Sequence, residues 1–397
     1  MKLNAAFLFG GRSVEHEVSV ISCSQAMAAA DTSKYNVIPV YITKDGMMYT
    51  SEAMKNIEVF KDIPALLKKS ARVIFVRETD GTHMVKYPKP LFGGDLGIID
   101  VAVPVVHGTN EEDGNLQGYL ETVGLPYTGC DVLSSAVGMD KVVMKKLLKE
   151  AGVPVLDCEY FYSKNWYEDK EAVMAKLEKL GLPVIVKPAN LGSSVGIKVA
   201  KDKISLEEAI EEAAAYAEKI LVEHAITNLR EINCAVMGDS DSAVCSVCEQ
   251  PLNGKEILSY KDKYQSSEGS KSGGSKGMAS LARKVPADLD AETEKTIKQA
   301  CLDTFEILGC NGISRIDCMI DDDNGNIYVN EINTIPGSLA FYLWEAAGIP
   351  FTKAIDEMIN LALKRKRKRD SLTFSYDTNL LQMQSSGGAK GAKGAKM

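Results

Sequence analysis

The sequence has 397 residues, a formal net charge of −8 and a hydrophobic content of 45%. This length predicts two or three domains with full-sized cores, and the negative charge argues against nucleic acid as a partner. No apolar run is long enough to span a membrane, and the first residues read as a strand rather than a signal peptide. We therefore expect a cytoplasmic protein.

The nine cysteines follow no disulfide spacing, which is typical of a reducing compartment. Cys245 and Cys248 form one C-x-x-C pattern inside an apparent strand. The odd spacing predicts that they lie on opposite faces of the strand, and no second pair follows. We interpret them as core thiols rather than metal ligands.

In the first block, the apolar segments at residues 3–9, 35–42 and 100–106 predict buried strands of a parallel sheet. A turn at residues 10–13 leads into a helix from Val14 onward. Glu15 lies in the first helical turn, where backbone amides favour a carboxylate, so helix capping and ligand binding both remain open. His107 follows the third strand, at the end of an α/β sheet where ligands bind.

The second block begins with one helix, predicted for residues 134–150, that carries Lys141 and ends before Gly152. A hairpin follows, with strands at residues 183–187 and 197–200 and a loop of glycines and serines between them. Lys187 at the strand end, with Ser193 and Ser194 in the loop, suits an anion. The glycine spacing matches neither a Walker A loop nor a dinucleotide fingerprint. A phosphate-covering loop and a tight structural turn both fit.

The third block returns to strands from residue 220. Glu223 and Glu231 lie where a strand could read adenine and ribose, a weak signal on spacing alone. Residues 260–284 include a polar Ser/Gly/Lys run that we expect to be mobile. The last helix, predicted for residues 354–364, ends in a basic run at 364–369. That run is interpreted as a solvated helix end, with attraction to anionic lipid or polymer as the alternative.

A hairpin at residues 315–333 carries the most informative pattern. Arg315 and Asp317 share one face of the first strand, and Glu331 and Asn333 share one face of the second. A three-residue loop at 323–325 would pair 317 with 331 and 315 with 333, whereas a two-residue loop would put the sets on opposite faces. The converging carboxylate and amide oxygens suit Mg²⁺. The alternative is a solvated hairpin face.

These motifs together resemble the D-alanine-D-alanine ligases, members of the ATP-grasp superfamily, over residues 4–364. The matching segments occur in family order and are residues 9–19, 107–118, 127–129, 139–141, 187–196, 263–264 and 315–337. The resemblance implies an α/β (α+β ATP-grasp) fold with an N-terminal parallel-sheet domain at 1–133. Two subdomains at 134–219 and 220–365 would sandwich ATP, with a mobile lid at 260–284. Residues 366–397 would be a basic, low-complexity, disordered tail.

The resemblance also implies roles for individual residues. ATP would be bound by Lys141, Lys187, Ser193, Ser194, Glu223, Ile226 and Glu231. Two Mg²⁺ ions, with Mn²⁺ as a possible substitute, would be bound by Asp317, Glu331 and Asn333. Substrates would contact Glu15, His107, Lys263, Arg315, Gly337 and Ser338. Glu15 would bind the first ammonium and form a closing triad with Ser193 and Tyr264, while Arg315 and the Gly337 backbone would stabilise the intermediates.

The implied reaction joins two D-alanines through an acyl phosphate, supplying the dipeptide for peptidoglycan, in a homodimer. The segment after Gly337 is shorter than is usual in the family, so Ser338 is the candidate to hold the acceptor carboxylate. Tyr264 favours an amine acceptor over D-lactate. One alternative is the same chemistry with D-serine or another amino compound. A catalytically silent ATP-binding regulator is a second, and the intact site residues count against it.

Overall fold

This computed structural model contains three β-sheets. It describes residues 2–192, 195–252 and 282–375. The chain divides into one unit over residues 1–363 and a second over residues 364–397. All three sheets belong to the first unit. The predicted domain boundaries at 133, 219 and 365 remain a prediction.

The first sheet has seven strands in the order β6-β5-β4-β3-β2-β1-β7. Its strands are β1 (Leu3–Gly10), β2 (Tyr35–Ile42), β3 (Met48–Thr50), β4 (Ala71–Arg77), β5 (Thr82–Lys86), β6 (Asp95–Ile98) and β7 (Val101–Pro104). Strand β1 pairs in parallel with β2 and β7, as predicted. Its residues 5–9 are fully buried, the burial that a central parallel strand requires. Strands β3 to β6 continue the sheet in antiparallel pairs, which the sequence analysis did not predict.

The connection from β1 to the first helix depends on glycine. Gly10 and Gly11 have φ values of +95° and +96°, which favour a residue without a side chain. A Cβ at Gly10 would lie 2.2 Å from the carbonyl oxygen of Ile42, so no larger residue fits. The chain therefore turns directly from the carboxyl end of β1 into helix α1 (His16–Ala29).

The second and third sheets are antiparallel. The second has the order β10-β9-β11-β8, with β8 (Cys158–Tyr162), β9 (Val184–Pro188), β10 (Lys198–Ala200) and β11 (Lys219–His224). The third has the order β14-β13-β12-β15-β16, with β12 (Leu229–Gly238), β13 (Ala243–Pro251), β14 (Arg283–Lys284), β15 (Gly312–Asp321) and β16 (Asn326–Asn333). The β9–β10 and β15–β16 hairpins are both present as predicted.

Helices cover the sheets. They are α2 (Ile63–Lys68), α3 (Asn115–Thr122), α4 (Val132–Met139), α5 (Lys141–Glu150), α6 (Ser163–Glu168), α7 (Lys170–Leu177), α8 (Lys203–Ala214), α9 (Ala291–Ile307), α10 (Phe341–Ala346) and α11 (Phe351–Asp370). Short 3₁₀ turns occur at Glu52–Lys55, Ile57–Asp62 and Glu178–Leu180, and a left-handed turn occurs at Gly337–Ala340. Trp344 and Ile355 of the last two helices join the same hydrophobic core as β1, although they are distant in sequence.

The single helix predicted for residues 134–150 is wrong, because the structure has two helices there. Asp140 separates them with φ −88° and ψ 96°. Its carboxylate accepts hydrogen bonds from the backbone N–H groups of Val142 and Val143 at 3.0 and 3.1 Å. Asp140 is thus the N-cap of α5, and Lys141 becomes the first residue of that helix rather than a mid-helix residue.

The predicted opposite orientation of Cys245 and Cys248 is also wrong. The β12–β13 pairing shifts register between Cys234 and Val236, so β13 has one extra residue at a β-bulge. Cys248 therefore lies in the core packed by α9, and Cys245 packs against the same core. Both thiols are free, as predicted. The predicted opposite orientation assumed that side chains alternate strictly along β13, and the bulge breaks that alternation.

The second unit contains the end of α11. The helix extends to Asp370, beyond the predicted end at 364, and Arg367, Lys368 and Arg369 are exposed there. The basic run is therefore helical, and so are residues 366–370 of the predicted disordered tail. Residues 376–397 lie outside the described part of the chain. Within the described residues, no helix has the length and apolar character needed to cross a membrane.

Candidate active site

The β15–β16 hairpin brings the four predicted residues together by a route that differs from the prediction. Arg315 pairs with Asn333 and Asp317 pairs with Glu331, as predicted. Asp321, however, pairs with Asn326, so the turn contains the four residues 322–325 instead of three. A register shift after Asp317 compensates for the longer turn. The two differences cancel, and the polar face is preserved.

The register shift leaves Asn330, which was not among the predicted site residues, without a partner residue on β15. It lies between Val329 and Glu331, the partners of Cys318 and Asp317, and so forms the bulge. Its Oδ1 accepts a hydrogen bond from Nζ of Lys187 at 3.0 Å. Strict alternation would place Asn330 and Glu331 on opposite faces, so only the bulge explains how both face the lysines.

Arg315 and Asp317 form a two-pronged ion pair on β15. Nε and Nη2 of Arg315 each donate to one carboxylate oxygen at 2.7 Å. Nδ2 of Asn333 donates to the same carboxylate at 3.1 Å. Burial raises the pKa of Asp317 above its ordinary value, and the Arg315 guanidinium opposes this shift. The pair thus holds a carboxylate and a guanidinium in fixed positions beside Glu331.

The donor set on this face fits a hard divalent cation. Asp317 and Glu331 are directly opposite on adjacent strands, and Asn333 supplies an amide oxygen. Among the described residues no group of three His, Cys, Asp or Glu side chains could hold a metal. An ion here would therefore use two carboxylates and an amide, and would take its remaining ligands from water or phosphate oxygens, as Mg²⁺ commonly does.

Lys141 connects this face to the loop that follows β9. Its Nζ lies 3.2 Å from Oε2 of Glu331 and donates to the carbonyl oxygen of Leu191 at 3.0 Å. The backbone N–H of Lys141 also binds the carbonyl oxygen of Ala189 at 2.9 Å. A residue predicted to bind phosphate therefore contacts a residue predicted to bind metal. Ser193 and Ser194, which follow in this loop, lie outside the described residues.

The second predicted phosphate lysine lies in a buried charge cluster. Nζ of Lys187 binds Oε1 of Glu223, and Nζ of Lys145 lies 2.7 Å from Oε2 of the same carboxylate. Burial opposes the charged form of Glu223, but the two ammonium groups reverse this and lower the pKa of its carboxyl to about 2. Lys145 was missed, although its position one helical turn after Lys141 could have indicated it.

The other predicted ATP residues lie near the end of β11 and the start of β12, which are consecutive in the chain and belong to different sheets. Glu223 lies within β11, and Ile226 follows that strand and is half-buried. Glu231 lies on β12, where it pairs with Met319 of β15. Their roles toward adenine and ribose remain predictions.

Glu15 lies between two loops. It occupies the N-cap position of α1, but its side chain does not cap the helix, so the capping interpretation is wrong. Its Oε2 would lie 2.8 Å from a Cβ on Gly108 and 3.4 Å from a Cβ on Gly192. The carboxylate thus reaches both the loop after β7 and the loop after β9. Lys263 and Tyr264 lie outside the described residues, and the predicted triad remains a prediction.

His107 is buried and its hydrogen bonds define its tautomer. Nδ1 lies 3.0 Å from the carbonyl oxygen of Ile335, which can only accept, so Nδ1 carries the proton. Burial lowers the pKa of His107 to about 4, so the ring is neutral at pH 7 and Nε2 accepts. The hydroxyl of Ser22 donates to Nε2 at 3.1 Å and accepts from the backbone N–H of Ser338 at 3.0 Å.

The turn after Gly337 has an unusual backbone. Ser338, Leu339 and Ala340 have φ values of +52°, +54° and +50°, a left-handed conformation that residues with side chains rarely adopt. The side chain of Ser338 is buried, and its Oγ has no hydrogen-bond partner among the described residues. Such strain often occurs at functional sites. The backbone of Ser338 is held by Ser22, and its role toward the acceptor remains a prediction.

Glu112, which was not among the predicted site residues, links two segments of the site. Its Oε2 accepts from the backbone N–H of Gly108 at 2.8 Å, and its Oε1 accepts from that of Ile335 at 3.0 Å. Burial, together with the negative charge of Glu15, raises the pKa of Glu112. One carboxylate thus joins the loop after β7 to the segment after β16. Glu112 lies in the segment at residues 107–118 that resembles the family, and this position could have indicated it as a site residue.

Comparison with known proteins decides the family. A model described as the D-ala D-ala ligase N-terminus matches residues 4–130, and one described as the C-terminus matches residues 147–360. The D-alanine--D-alanine ligase of Thermosipho melanesiensis is 42% identical over 383 residues, covering 96% of this chain and 99% of the relative. The chain belongs to the D-alanine-D-alanine ligase family.

Solved structures of the family agree with the fold. The D-alanine-D-alanine ligase from Coxiella burnetii has a TM-score of 0.76 at 28% identity and covers 97% of this chain and 98% of its own. The VanG D-Ala:D-Ser ligase from Enterococcus faecalis has a TM-score of 0.74 at 31% identity, with 91% and 100% covered. The predicted family, ATP-grasp fold and ligase class are confirmed. Members of this ligase family use ATP and a divalent metal ion.

In this member of the ligase family, most of the predicted site residues that the structure describes lie in two groups. The hairpin, Lys141 and Lys187 form one connected group, and His107, Ser338 and Glu15 lie around the loop after β7. Four contributors were not predicted, and they are Ser22, Glu112, Lys145 and Asn330. Each acts through a partner that is distant in sequence, and a local signal was available for Lys145 and Glu112 alone.

Proposed function

We propose that this chain is an ATP-dependent ligase that joins two molecules of D-alanine into D-alanyl-D-alanine for peptidoglycan precursor synthesis. The observation that carries the proposal is the contact between Nζ of Lys141 and Oε2 of Glu331 at 3.2 Å. It brings a cation suited to phosphate next to a carboxylate suited to metal, the combination that phosphoryl transfer requires. Relatives covering nearly the whole chain are named for this reaction.

Two Mg²⁺ ions, replaceable by Mn²⁺, are the metal complement that we propose for Asp317, Glu331 and Asn333. The ions would neutralise the charge of the transferring phosphoryl group. Arg315 adds a fixed cation on the same face, because its pairing with Asp317 prevents its guanidinium from moving away. Lys141 and Lys187 would bind the phosphate oxygens of ATP.

In the first step, the carboxylate of the first D-alanine attacks the γ-phosphorus of ATP, and ADP leaves. Glu15 would bind the ammonium of this substrate, since its carboxylate lies against Gly108 and Gly192 at the entrance to the phosphate loop. The neutral His107, whose two ring nitrogens are bound by Ile335 and Ser22, would neighbour the substrate without adding positive charge. Closure of the site over the acyl phosphate is assigned to Ser193, Lys263 and Tyr264, which lie outside the described residues.

In the second step, the amine of the acceptor attacks the acyl carbon. The acceptor ammonium first loses one proton; a C–N bond then forms, the C–O bond to phosphate breaks with phosphate as the leaving group, and the nitrogen gives up a second proton as the amide forms. Arg315 and the backbone at Gly337 would stabilise the oxyanion of the tetrahedral intermediate. The hydroxyl of Ser338 is the group that we assign to the acceptor carboxylate, because it is buried without a partner among the described residues.

D-Serine is the second candidate acceptor. The observation in its favour is the resemblance to the VanG D-Ala:D-Ser ligase, at 31% identity over 91% of this chain. The short turn after Gly337 is the segment that would decide between acceptors. We further propose that the enzyme is a cytoplasmic homodimer.

The deciding experiment measures phosphate release from ATP and Mg²⁺ with a panel of D-amino acids, singly and in pairs, with products identified by mass. Turnover with D-alanine alone, giving the dipeptide, supports the main proposal. Turnover only with D-alanine plus D-serine or another amine would assign a different acceptor. ATP binding without phosphate production under any condition would support a silent regulator and contradict both.

A further inference from the structure

Lys145 is a buried cation for which the proposed reaction gives no role. It lies on α5, one turn after Lys141, and its side chain is 2% exposed. A buried ammonium is costly unless it is paired, and its partner here is Oε2 of Glu223 at 2.7 Å. The carboxylate of Glu223 is itself fully buried.

Glu223 is shared between two lysines. Lys187, whose side chain is 6% exposed, binds the other oxygen of the carboxylate and also donates to Asn330 at 3.0 Å. Two ammonium groups and one carboxylate leave a net charge of +1 in the cluster. The low pKa of Glu223 indicates that its carboxylate is ionised at any pH near neutrality.

The ratio of two lysines to one carboxylate in this cluster affects phosphate binding. If Glu223 had Lys187 as its single partner, the carboxylate would cancel the charge of Lys187. Movement of Lys187 toward a phosphate would then leave a buried carboxylate unpaired, which is strongly unfavourable. With Lys145 present, Glu223 remains paired when Lys187 turns toward its ligand, and the excess positive charge stays available.

We propose that Lys145 is a positioning residue for nucleotide binding, which keeps Glu223 ion-paired so that the ammonium of Lys187 can bind the phosphates of ATP. This inference rests on the proposed role of Lys187 in ATP binding. Because both oxygens of Glu223 are paired with lysines and Lys187 is the group released toward the ligand, it predicts a large effect on phosphate binding and a smaller one on nucleoside binding. A lysine that merely filled the core would affect stability without this selectivity.

The test uses the full chain and measures binding of ATP and of adenosine by calorimetry. Lys145→Met should weaken ATP binding at least tenfold and raise the KM for ATP more than it lowers kcat. Adenosine binding should change less than threefold. Lys149→Met is the matched control, because Lys149 is on the same helix but exposed, with Asp157 as its partner; it should bind ATP as the unmodified chain does.

The double variant Lys145→Met/Glu223→Gln distinguishes a positioning role of Lys145 from a purely structural one. It removes both charges of the buried pair, so Lys187 is no longer held by a carboxylate. We expect ATP binding to recover to within about threefold of the Glu223→Gln single variant. Lys145→Met leaves Glu223 paired with Lys187, and the double variant leaves Lys187 hydrogen-bonded to Asn330. Circular dichroism and thermal unfolding of both variants establish that each is folded before their ATP binding is compared.

Three outcomes would overturn the inference. Lys145→Met could bind ATP as tightly as the unmodified chain, or it could lose adenosine and ATP binding equally. A folded double variant that binds ATP no better than Lys145→Met would also contradict it. An unmodified chain that binds no ATP would instead refute the proposed function on which the inference rests.

Discussion

The carboxylate of Glu112 accepts a hydrogen bond from the backbone N–H of Ile335 at 3.0 Å, across 223 positions of sequence. Its other oxygen binds the N–H of Gly108 at 2.8 Å. Through this one side chain, the loop that carries His107 is fixed to the segment that follows the β15–β16 hairpin. The proposed substrate residues and the proposed metal residues are thereby held at a constant separation.

Glu112→Gln should loosen this connection. The amide nitrogen of Gln cannot accept, so one of the two backbone N–H groups loses its partner, at a cost of about 1–3 kcal/mol. We expect a lower midpoint in thermal unfolding and a KM for the first D-alanine raised several-fold. Glu78→Gln is a surface control from the same first sheet region. Unchanged KM and unfolding midpoint would show that Glu112 does not couple the two segments.

Glu331→Gln should abolish turnover while the fold stays intact. The change removes a negative charge from the proposed metal face and frees Lys141 from its ion pair. Because the variant would lose a proposed metal ligand, we expect kcat to fall by at least about 100-fold. Steady-state phosphate release and circular dichroism measure the two properties. Asp323→Asn, in the turn of the same hairpin, should behave normally, and near-normal activity of Glu331→Gln would remove the metal assignment.

Ser22→Ala should disturb the turn after Gly337. The substitution leaves the backbone N–H of Ser338 without its acceptor and Nε2 of His107 without its donor. We expect a loss of about 1–3 kcal/mol in unfolding free energy and a raised KM for the acceptor, with the KM for ATP unchanged. Ser24→Ala on the same helix is the control. An equal rise in both KM values would point to a general loss of structure instead.

His107 should make stability fall under mildly acid conditions. Its pKa is about 4 in the folded chain and 6.5 ordinarily, so between these values the unfolded chain binds more protons. Stability is therefore lost as the pH falls from 6.5 to 4, by at most about 3 kcal/mol. Chemical unfolding of His107→Asn at several pH values should show a flatter dependence.

The half-buried His83 supplies a control of opposite sign. Hydrogen bonds to Asp80 and Asp95 raise the pKa of His83. Its contribution to stability is present below its ordinary pKa and is lost as the pH rises through the raised value. His83→Asn should therefore leave the slope between pH 6.5 and 4 unchanged. A His107→Asn variant with the same slope as the unmodified chain would contradict the buried neutral ring.

The hairpin shows why some of this could be predicted and some could not. Alternation along a strand is a local property, so the sequence correctly indicated that Arg315 shares a face with Asp317, and Glu331 with Asn333. The turn length was wrong, and the bulge at Asn330 that restores the register was not predicted. A bulge in β13 likewise overturned the orientation of Cys245. Bulges are set by packing between strands, which spacing alone does not encode.

The sequence by itself determined the family, the parallel strands and the two hairpins that carry the candidate site residues, and the chemical types of those residues, because residue identity and spacing carry that information. The tertiary structure alone decided that Lys145 and Lys187 share Glu223, that Glu112 joins Gly108 to Ile335, and that Ser22 joins His107 to Ser338. Each of these contacts pairs buried polar groups that are far apart in the chain. Burial makes such groups require partners, but only the folded packing selects which partner each one finds.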